Sequence, residues 1–180
     1  MTQNTLRRIG ALVAVAGAIL LAGCASPANR ADMTPAAIQS AKKNPYSLSV
    51  KAIGGNETSA VGSSEISNED LRAAIESSVT SSSLFKEVVQ GKSGDYELSV
   101  TVTKLTKPMF GTSFTVDMEA GWTLVKASDK SIVMRKSITS SHTATMSDAF
   151  VGVTRLRLAV EGAARNNIKS GLEQIASLNL

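Results

Sequence analysis

The chain has 180 residues, of which 43% are hydrophobic, 19% are charged and only 4% are aromatic. This is the balance of one ordinary globular domain. The formal net charge is +4, and Arg7 and Arg8 at the N-terminus supply two of those charges. The remaining excess is too small for the clustered basic surface that phosphate binding needs, so we predict no nucleic-acid partner.

The N-terminus has the pattern of a secretory signal peptide over residues 1–23. Arg7 and Arg8 form a positively charged region, and residues 9–20 form an unbroken run of apolar or small residues. The apolar stretch ends at Gly23 and is shorter than the roughly 20 residues that a membrane-spanning helix requires. The pattern therefore predicts an exported chain without a transmembrane anchor.

Residues 21–24, Leu-Ala-Gly-Cys, resemble the lipobox of bacterial lipoproteins, and Cys24 is the only cysteine in the chain. The resemblance implies that the Cys24 thiol receives a diacylglycerol through a thioether, that cleavage precedes Cys24, and that the new amino group is acylated. Two or more acyl chains give stable anchoring. Ala25 stands where an aspartate would resemble the inner-membrane retention signal of enteric bacteria. The expected location is therefore the outer membrane, facing the periplasm; the alternative is an ordinary signal peptide with an incidental cysteine.

Residues 24–45 are predicted to be a lipidated tether, and residues 46–180 a single periplasmic domain. The tether is rich in Ala, Pro, Asn and Lys and shows no strand alternation, which is typical of a flexible linker. A brief helix over residues 36–43 remains open as an alternative for part of it.

The folded domain is predicted to begin at Tyr46, where apolar residues alternate with polar ones as in a half-buried strand. After a polar loop, Ser67 is placed to cap an amphipathic helix over about residues 68–81, in which apolar residues recur every fourth position. Residues 84–89 then have the pattern of a short edge strand.

Three strands with clear alternation follow. One face of each strand is apolar and the other is polar, which is typical of an antiparallel meander with one buried face. The residues predicted to face inward are Tyr96, Leu98, Val100 and Val102 in the first strand, Phe114, Val116, Met118, Ala120, Trp122 and Leu124 in the second, and Ile132, Met134 and Ile138 in the third.

A long helix closes the chain, starting near Ser147 or Asp148 and ending at about Ser177. Three charged residues four positions apart are predicted to pair on its solvated face. These residues are Arg157, Glu161 and Arg165, and the predicted apolar stripe consists of Phe150, Val153, Leu156, Val160, Ala164, Ile168, Leu172 and Ile175.

The predicted fold is α+β, with the order strand, helix, three strands, helix. It forms a four-stranded antiparallel sheet with two helices packed on one face. Over residues 46–178 this order resembles the small periplasmic α+β lipoproteins, such as the lipopolysaccharide-assembly lipoprotein that plugs an outer-membrane barrel. The resemblance implies an architecture and identifies no functional residues, because a fold does not imply a function.

No catalytic, metal or cofactor site is predicted. His142 is the only histidine and is placed in a polar loop after the last strand, while lipidation of Cys24 leaves no free thiol, so a Cys-His pair is excluded and a zinc site disfavoured. The chain has neither a nucleophile elbow nor a glycine-rich phosphate loop. Asp117 and Glu119 are interpreted as ordinary residues of a solvated strand face rather than as an acid-base pair.

The candidate contact surface lies in residues 104–114. Met109 and Phe110 are apolar residues at a predicted hairpin tip, and Lys104 and Lys107 flank them. Such a tip could contact a lipid headgroup region, an anionic glycolipid or a partner protein. The alternative, which the shortness of the loop favours, is that Met109 and Phe110 fold back onto the core.

The sequence thus predicts a non-enzymatic envelope lipoprotein that is anchored through Cys24. It would bind protein or glycolipid partners in outer-membrane assembly, transport or maintenance. The alternative is an enzyme, a transferase or hydrolase of envelope components, whose site the motifs do not reveal.

Overall fold

The computed structural model describes residues 25–39, 43–59 and 63–180. The predicted signal peptide and Cys24 lie outside the described residues. Within them, one five-stranded sheet has the strand order β2-β1-β3-β4-β5. The strands are β1 (Asn44–Ile53), β2 (Phe85–Val89), β3 (Tyr96–Thr106), β4 (Phe114–Lys126) and β5 (Ile132–Ala144), and the helices are α1 (Arg30–Met33), α2 (Asn68–Ser82) and α3 (Gly152–Ala176).

The sheet is mixed, because β1 runs parallel to both of its neighbours. Leu48 of β1 pairs with Val88 of β2 on one side and with Tyr96 of β3 on the other, while β3, β4 and β5 form an antiparallel meander. The α+β class and the meander are confirmed, but the prediction of four antiparallel strands is wrong. Alternation is the same in parallel and antiparallel strands, so it does not encode direction. The added strand also changes the element order on which the resemblance to the lipopolysaccharide-assembly lipoprotein rested.

The connection between β2 and β3 crosses β1, since the two parallel strands lie on opposite sides of it. A Cβ atom at Gly94 would lie 2.7 Å from the Ser49 amide nitrogen, so the crossing is too close for a larger residue. The Asp95 carboxylate accepts hydrogen bonds from the amide and the hydroxyl of Ser47, both at 2.8 Å, and these bonds lower the pKa of Asp95. Strand β1 is therefore held along both edges and across its backbone.

Both long helices pack on one face of the sheet, α2 against β1 and β2 and α3 against β4 and β5. Ser67 caps α2 as predicted, its Oγ accepting a hydrogen bond from the Asp70 amide at 3.0 Å. The predicted inward face of β4 is confirmed along its whole length. Its buried residues are Phe114, Val116, Met118, Ala120, Trp122 and Leu124.

Helix α3 packs closely against the sheet at Trp122. The indole is completely buried, and its Nε1 donates to Asn167 Oδ1 at 2.9 Å. Asn167 in turn donates through Nδ2 to the Ile138 carbonyl at 2.8 Å, so the buried amide has partners on both neighbouring strands. A Cβ atom at Gly171 would lie 2.5 Å from the Trp122 ring. The helix can approach this strand only because position 171 has no side chain.

The predicted start of the last helix is wrong, because α3 begins at Gly152. The Asp148 carboxylate accepts a hydrogen bond from the Thr145 amide at 2.7 Å, which closes a turn instead of capping the helix. Phe150 consequently precedes the helix and is exposed. Val153, in the first turn of α3, is exposed as well, so neither residue belongs to the buried stripe. From Val160 onward the predicted stripe is buried.

Two further residues depart from their predicted faces. Ile132 is 51% exposed because the register shifts between Leu124 and Val125, which turns the first residue of β5 away from the core. Glu161, predicted to lie on a solvated face, is only 1% exposed. Burial raises the pKa of the Glu161 carboxyl. The predicted pairing with Arg157 is present, with Nε 3.7 Å from Glu161 Oε1, and this positive charge opposes the rise in pKa.

Part of the segment predicted as a tether packs on the domain. Met33 of α1 is completely buried, the Ser26 carbonyl accepts a hydrogen bond from Ser64 Oγ at 2.8 Å, and the Asn29 amide donates to Glu161 at the same distance. The described part of the open alternative, a helix over residues 36–43, is not helical. Residues 26–33 therefore belong to the packed body and do not act as a flexible spacer.

Candidate contact surface

The predicted tip is exposed. Met109 and Phe110, in the connection from β3 to β4, are 84% and 85% exposed. The favoured expectation that both fold back onto the core is wrong. Phe114, the first residue of β4, already fills the end of the core and is buried, so there is no place there for the two side chains that precede it.

The two lysines of the predicted surface differ. Lys104 is exposed, whereas the Lys107 side chain is only 14% exposed. The Lys107 ammonium donates to the Ser64 carbonyl at 3.1 Å and forms an ion pair with the Glu65 carboxylate. Lys107 therefore fastens the base of the loop to the segment before α2 and is not free to bind a partner.

A second exposed apolar segment follows β5. In residues 145–151, Met146 is 49%, Phe150 83% and Val151 55% exposed. Sequence reasoning missed this segment because it assigned Phe150 to the helical stripe. The signal that could have found it is the Thr145 and Asp148 pair, since residues of this type favour turns through side-chain bonds to nearby amides.

Arg155 joins the two connections. Its side chain is buried beneath them, and Nη1 donates to the carbonyls of Ala149 at 2.8 Å and Phe150 at 3.2 Å. Nη2 donates to the Gly111 carbonyl at 3.4 Å, and the guanidinium carbon lies 5.0 Å from the centre of the Phe114 ring. The two connections are thus fixed side by side. We call residues 107–113 and 145–151 together the apolar end.

The first described residues of the chain also lie at the apolar end. Ser64 forms hydrogen bonds with both sides: its Oγ donates to the Ser26 carbonyl, and its own carbonyl accepts from Lys107 at the base of the loop. The Ala28 amide donates to the Glu65 carbonyl at 3.1 Å, which continues the same contact. One residue therefore separates the N-terminal segment from the loop that carries Met109 and Phe110.

The prediction that His142 lies in a polar loop is wrong, because the residue lies within β5. It faces α3 at Gly162, where a Cβ atom would lie 2.0 Å from the imidazole ring. Desolvation lowers the pKa of His142 and the nearby Arg165 lowers it further, while Asp148 opposes the shift. His142 is thus a packing residue of the interface between helix and sheet.

Asp117 and Glu119 occupy the solvated face of β4, as predicted. Asp117 is exposed, and Glu119 accepts a hydrogen bond from Ser137 Oγ at 2.9 Å. Among the described residues, no three His, Cys, Asp or Glu side chains are grouped so that they could hold a metal ion. Within the same ranges, none of the helices is long and apolar enough to cross a bilayer.

Replacing His142 with glutamine should reduce the loss of stability on mild acidification. The folded state lowers the His142 pKa from its usual 6.5, so protonation of the imidazole favours the unfolded chain. The neutral imidazole is accommodated in full above pH 6.5, and the folded state loses stability as the pH falls below that value. Melting temperatures measured at about pH 7.5 and 5.5 should therefore differ less for His142→Gln than for the wild type. Thr139→Gln, on the solvated face of the same strand, is the control. If the melting temperatures of all three proteins fall equally between the two pH values, His142 is not responsible for the loss of stability.

No family model matches the chain, and no curated protein sequence does so. Solved structures, in contrast, do match the chain. The DUF330 protein XCC0632 from Xanthomonas campestris superposes with a TM-score of 0.60 at 14% identity, covering 84% of this chain and 93% of that one. A predicted lipoprotein from Caulobacter crescentus CB15 gives 0.52 at 16%, with 72% and 88% covered. The PelC dodecamer from Paraburkholderia phytofirmans gives 0.50 at 13%, with 81% and 95% covered.

The chain has a bacterial lipoprotein-like fold. At these identities the likeness lies in the backbone and carries over no residue of the apolar end.

Proposed function

We propose that this protein is a non-enzymatic envelope lipoprotein, anchored through a lipidated Cys24 at the periplasmic face of the outer membrane. The observation that carries the proposal is the position of Cys24 at the end of a lipobox, joined to a domain with a lipoprotein-like fold. Ala25 after the cysteine supports the outer rather than the inner membrane. The protein would act by binding protein or glycolipid partners in outer-membrane assembly, transport or maintenance.

Binding rather than catalysis is supported by the roles of the buried polar side chains. Asn167 links Trp122 to the Ile138 carbonyl, Arg155 holds two connections, and Glu161 binds the N-terminal segment. Each of these groups has a structural task, and six large apolar side chains are exposed together around the two connections. Since PelC is described as a dodecamer, a second copy of the chain is one candidate among protein partners.

Substituting Cys24 with serine should abolish lipidation, because a hydroxyl cannot replace the thiol as the acceptor of the diacylglycerol. Cells grown with a palmitate analogue should label the wild type and not Cys24→Ser, and the variant should leave the membrane fraction. Ala25→Ser, the neighbouring change, should keep the label. Equal labelling of Cys24→Ser and wild type would refute the anchoring proposal.

Crosslinking of the anchored protein followed by purification tests the binding role. A stoichiometric envelope partner is the expected result. Turnover of an envelope component that His142→Ala or Asp117→Asn abolishes would instead support an enzyme.

A further inference from the structure

We infer that the apolar end is a membrane-docking surface that seats the domain directly on the bilayer beside the lipid anchor. The inference rests on the proposed function, since it takes Cys24 to be lipidated. It adds an orientation to that function: the two connections point into the membrane, and the turn between β4 and β5 points away from it.

The first support is the distribution of exposed apolar side chains. Single exposed apolar residues are normal, whereas a cluster marks an interaction surface. Eight large apolar side chains are exposed among the described residues, and six of them belong to the apolar end or to the first turn of α3 beside it. These six are Met109, Phe110, Met146, Phe150, Val151 and Val153.

The second support is the place where the chain reaches this end. Ser26 is fixed to Ser64, which also binds Lys107 at the base of the loop. Two peptide units span at most about 7 Å, so the backbone of Cys24 cannot be farther than that from Ser26. Acyl chains on Cys24 would therefore enter the membrane on the side of the domain where the loop with Met109 and Phe110 is fixed. Because residues 26–33 are packed, there is no slack that would let the domain stand off from the bilayer.

The third support is the chemistry of the surface. Lys107 is neutralised by Glu65, and the Asp148 carboxylate is occupied by the amide and hydroxyl of Thr145. Lys104 is the remaining exposed cation of the predicted surface. With charges so nearly balanced, the attraction must come from apolar side chains entering the boundary between headgroups and acyl chains. A bilayer without anionic lipid should suffice, and added salt should have little effect.

The fourth support is the rigidity of the two connections. Arg155 binds the carbonyls of Ala149, Phe150 and Gly111, so the backbone that presents the aromatic rings is already ordered. Binding by a preorganised surface costs less conformational entropy than binding by a loop that must first be fixed.

Fluorescence quenching by brominated lipid tests the orientation on the intact, lipidated protein. Tryptophan is introduced singly as Phe110→Trp or Phe150→Trp, and Ile132→Trp serves as the matched control. Ile132 is also an exposed apolar residue, but it lies at the other end of the 13-residue strands β4 and β5, about 40 Å away.

The native Trp122 is buried and provides a constant background. All three substituted positions are at least half exposed, so melting temperatures should stay close to that of the wild type.

Each protein is reconstituted in phosphatidylcholine vesicles with and without bromine on the acyl chains. The added emission of Phe110→Trp and Phe150→Trp should fall at least about twofold in brominated vesicles and stay so at high salt, while Ile132→Trp should behave as the wild type. If the protein is lipidated and tryptophan at positions 110 and 150 is quenched no more than at position 132, the proposed docking surface is wrong, whereas the proposed lipid anchor stands. Blue-shifted emission at 110 without quenching, in a crosslinked oligomer, would assign the surface to a second copy and equally overturn it. Absence of palmitate label from the wild type would overturn the anchor itself, and docking with it.

Discussion

Trp122→Ala is expected to lower the free energy of unfolding by about 3 to 5 kcal/mol. The side chain is completely buried between β4 and α3, so its removal leaves a cavity. The substitution also leaves Asn167 Oδ1 without its donor in a buried site. Since small domains are stable by about 5 to 15 kcal/mol, this single change should remove a large share of the total.

Chemical denaturation of wild type and variant measures this difference. Trp122→Phe is the matched control, because it keeps most of the ring and loses the hydrogen bond to Asn167. Its stability should fall between those of wild type and Trp122→Ala. Indistinguishable unfolding of wild type and Trp122→Ala would mean that the inward face of β4 has been assigned incorrectly.

Gly171→Ala should destabilise the protein by about 1 to 3 kcal/mol, although alanine is the better helix former. The new methyl group would lie 2.5 Å from the Trp122 ring, which is enclosed and cannot move aside. The helix must then lift from the sheet, which weakens the hydrogen bond from Trp122 to Asn167 as well.

Gly152→Ala, in the first turn of the same helix, separates this clash from general effects of the substitution. Its Cβ atom would lie 3.9 Å from the Phe114 ring, an ordinary contact. We expect Gly152→Ala to unfold at or slightly above the wild-type temperature. If both variants behave alike, close approach of helix and strand at position 171 is not the reason for a glycine there.

The inward faces of the meander could be predicted from sequence because alternation in β4 is unbroken from Phe114 to Leu124. Strand direction could not. The pairing of Leu48 with both Val88 and Tyr96 depends on where the chain turns after β2, and that turn uses a close approach of Gly94 to Ser49 that no local pattern announces.

Of the two segments of the apolar end, the sequence predicted only the one with Met109 and Phe110. Met109 and Phe110 stood out as apolar residues in a polar stretch, but their exposure depends on which neighbours fill the core. Arg155 could not be recognised, since a positively charged residue on a helix usually faces water. Its partners are backbone carbonyls, and that of Gly111 lies 44 residues away in sequence. The same holds for Met33, whose burial depends on helices that follow it by more than 30 residues.

The position of β1 between two parallel strands matters when the protein is pulled by its anchor. Force applied through residue 24 would first peel away residues 26–33 and then act along the axis of β1 (Asn44–Ile53). Both ladders of β1, to β2 and to β3, run beside that axis, so their hydrogen bonds would bear the load together and not one after another. The connection that crosses β1 at Ser49 adds a clamp against sliding. Pulling on residue 24 should therefore detach residues 26–33 before it separates β1 from its two neighbours.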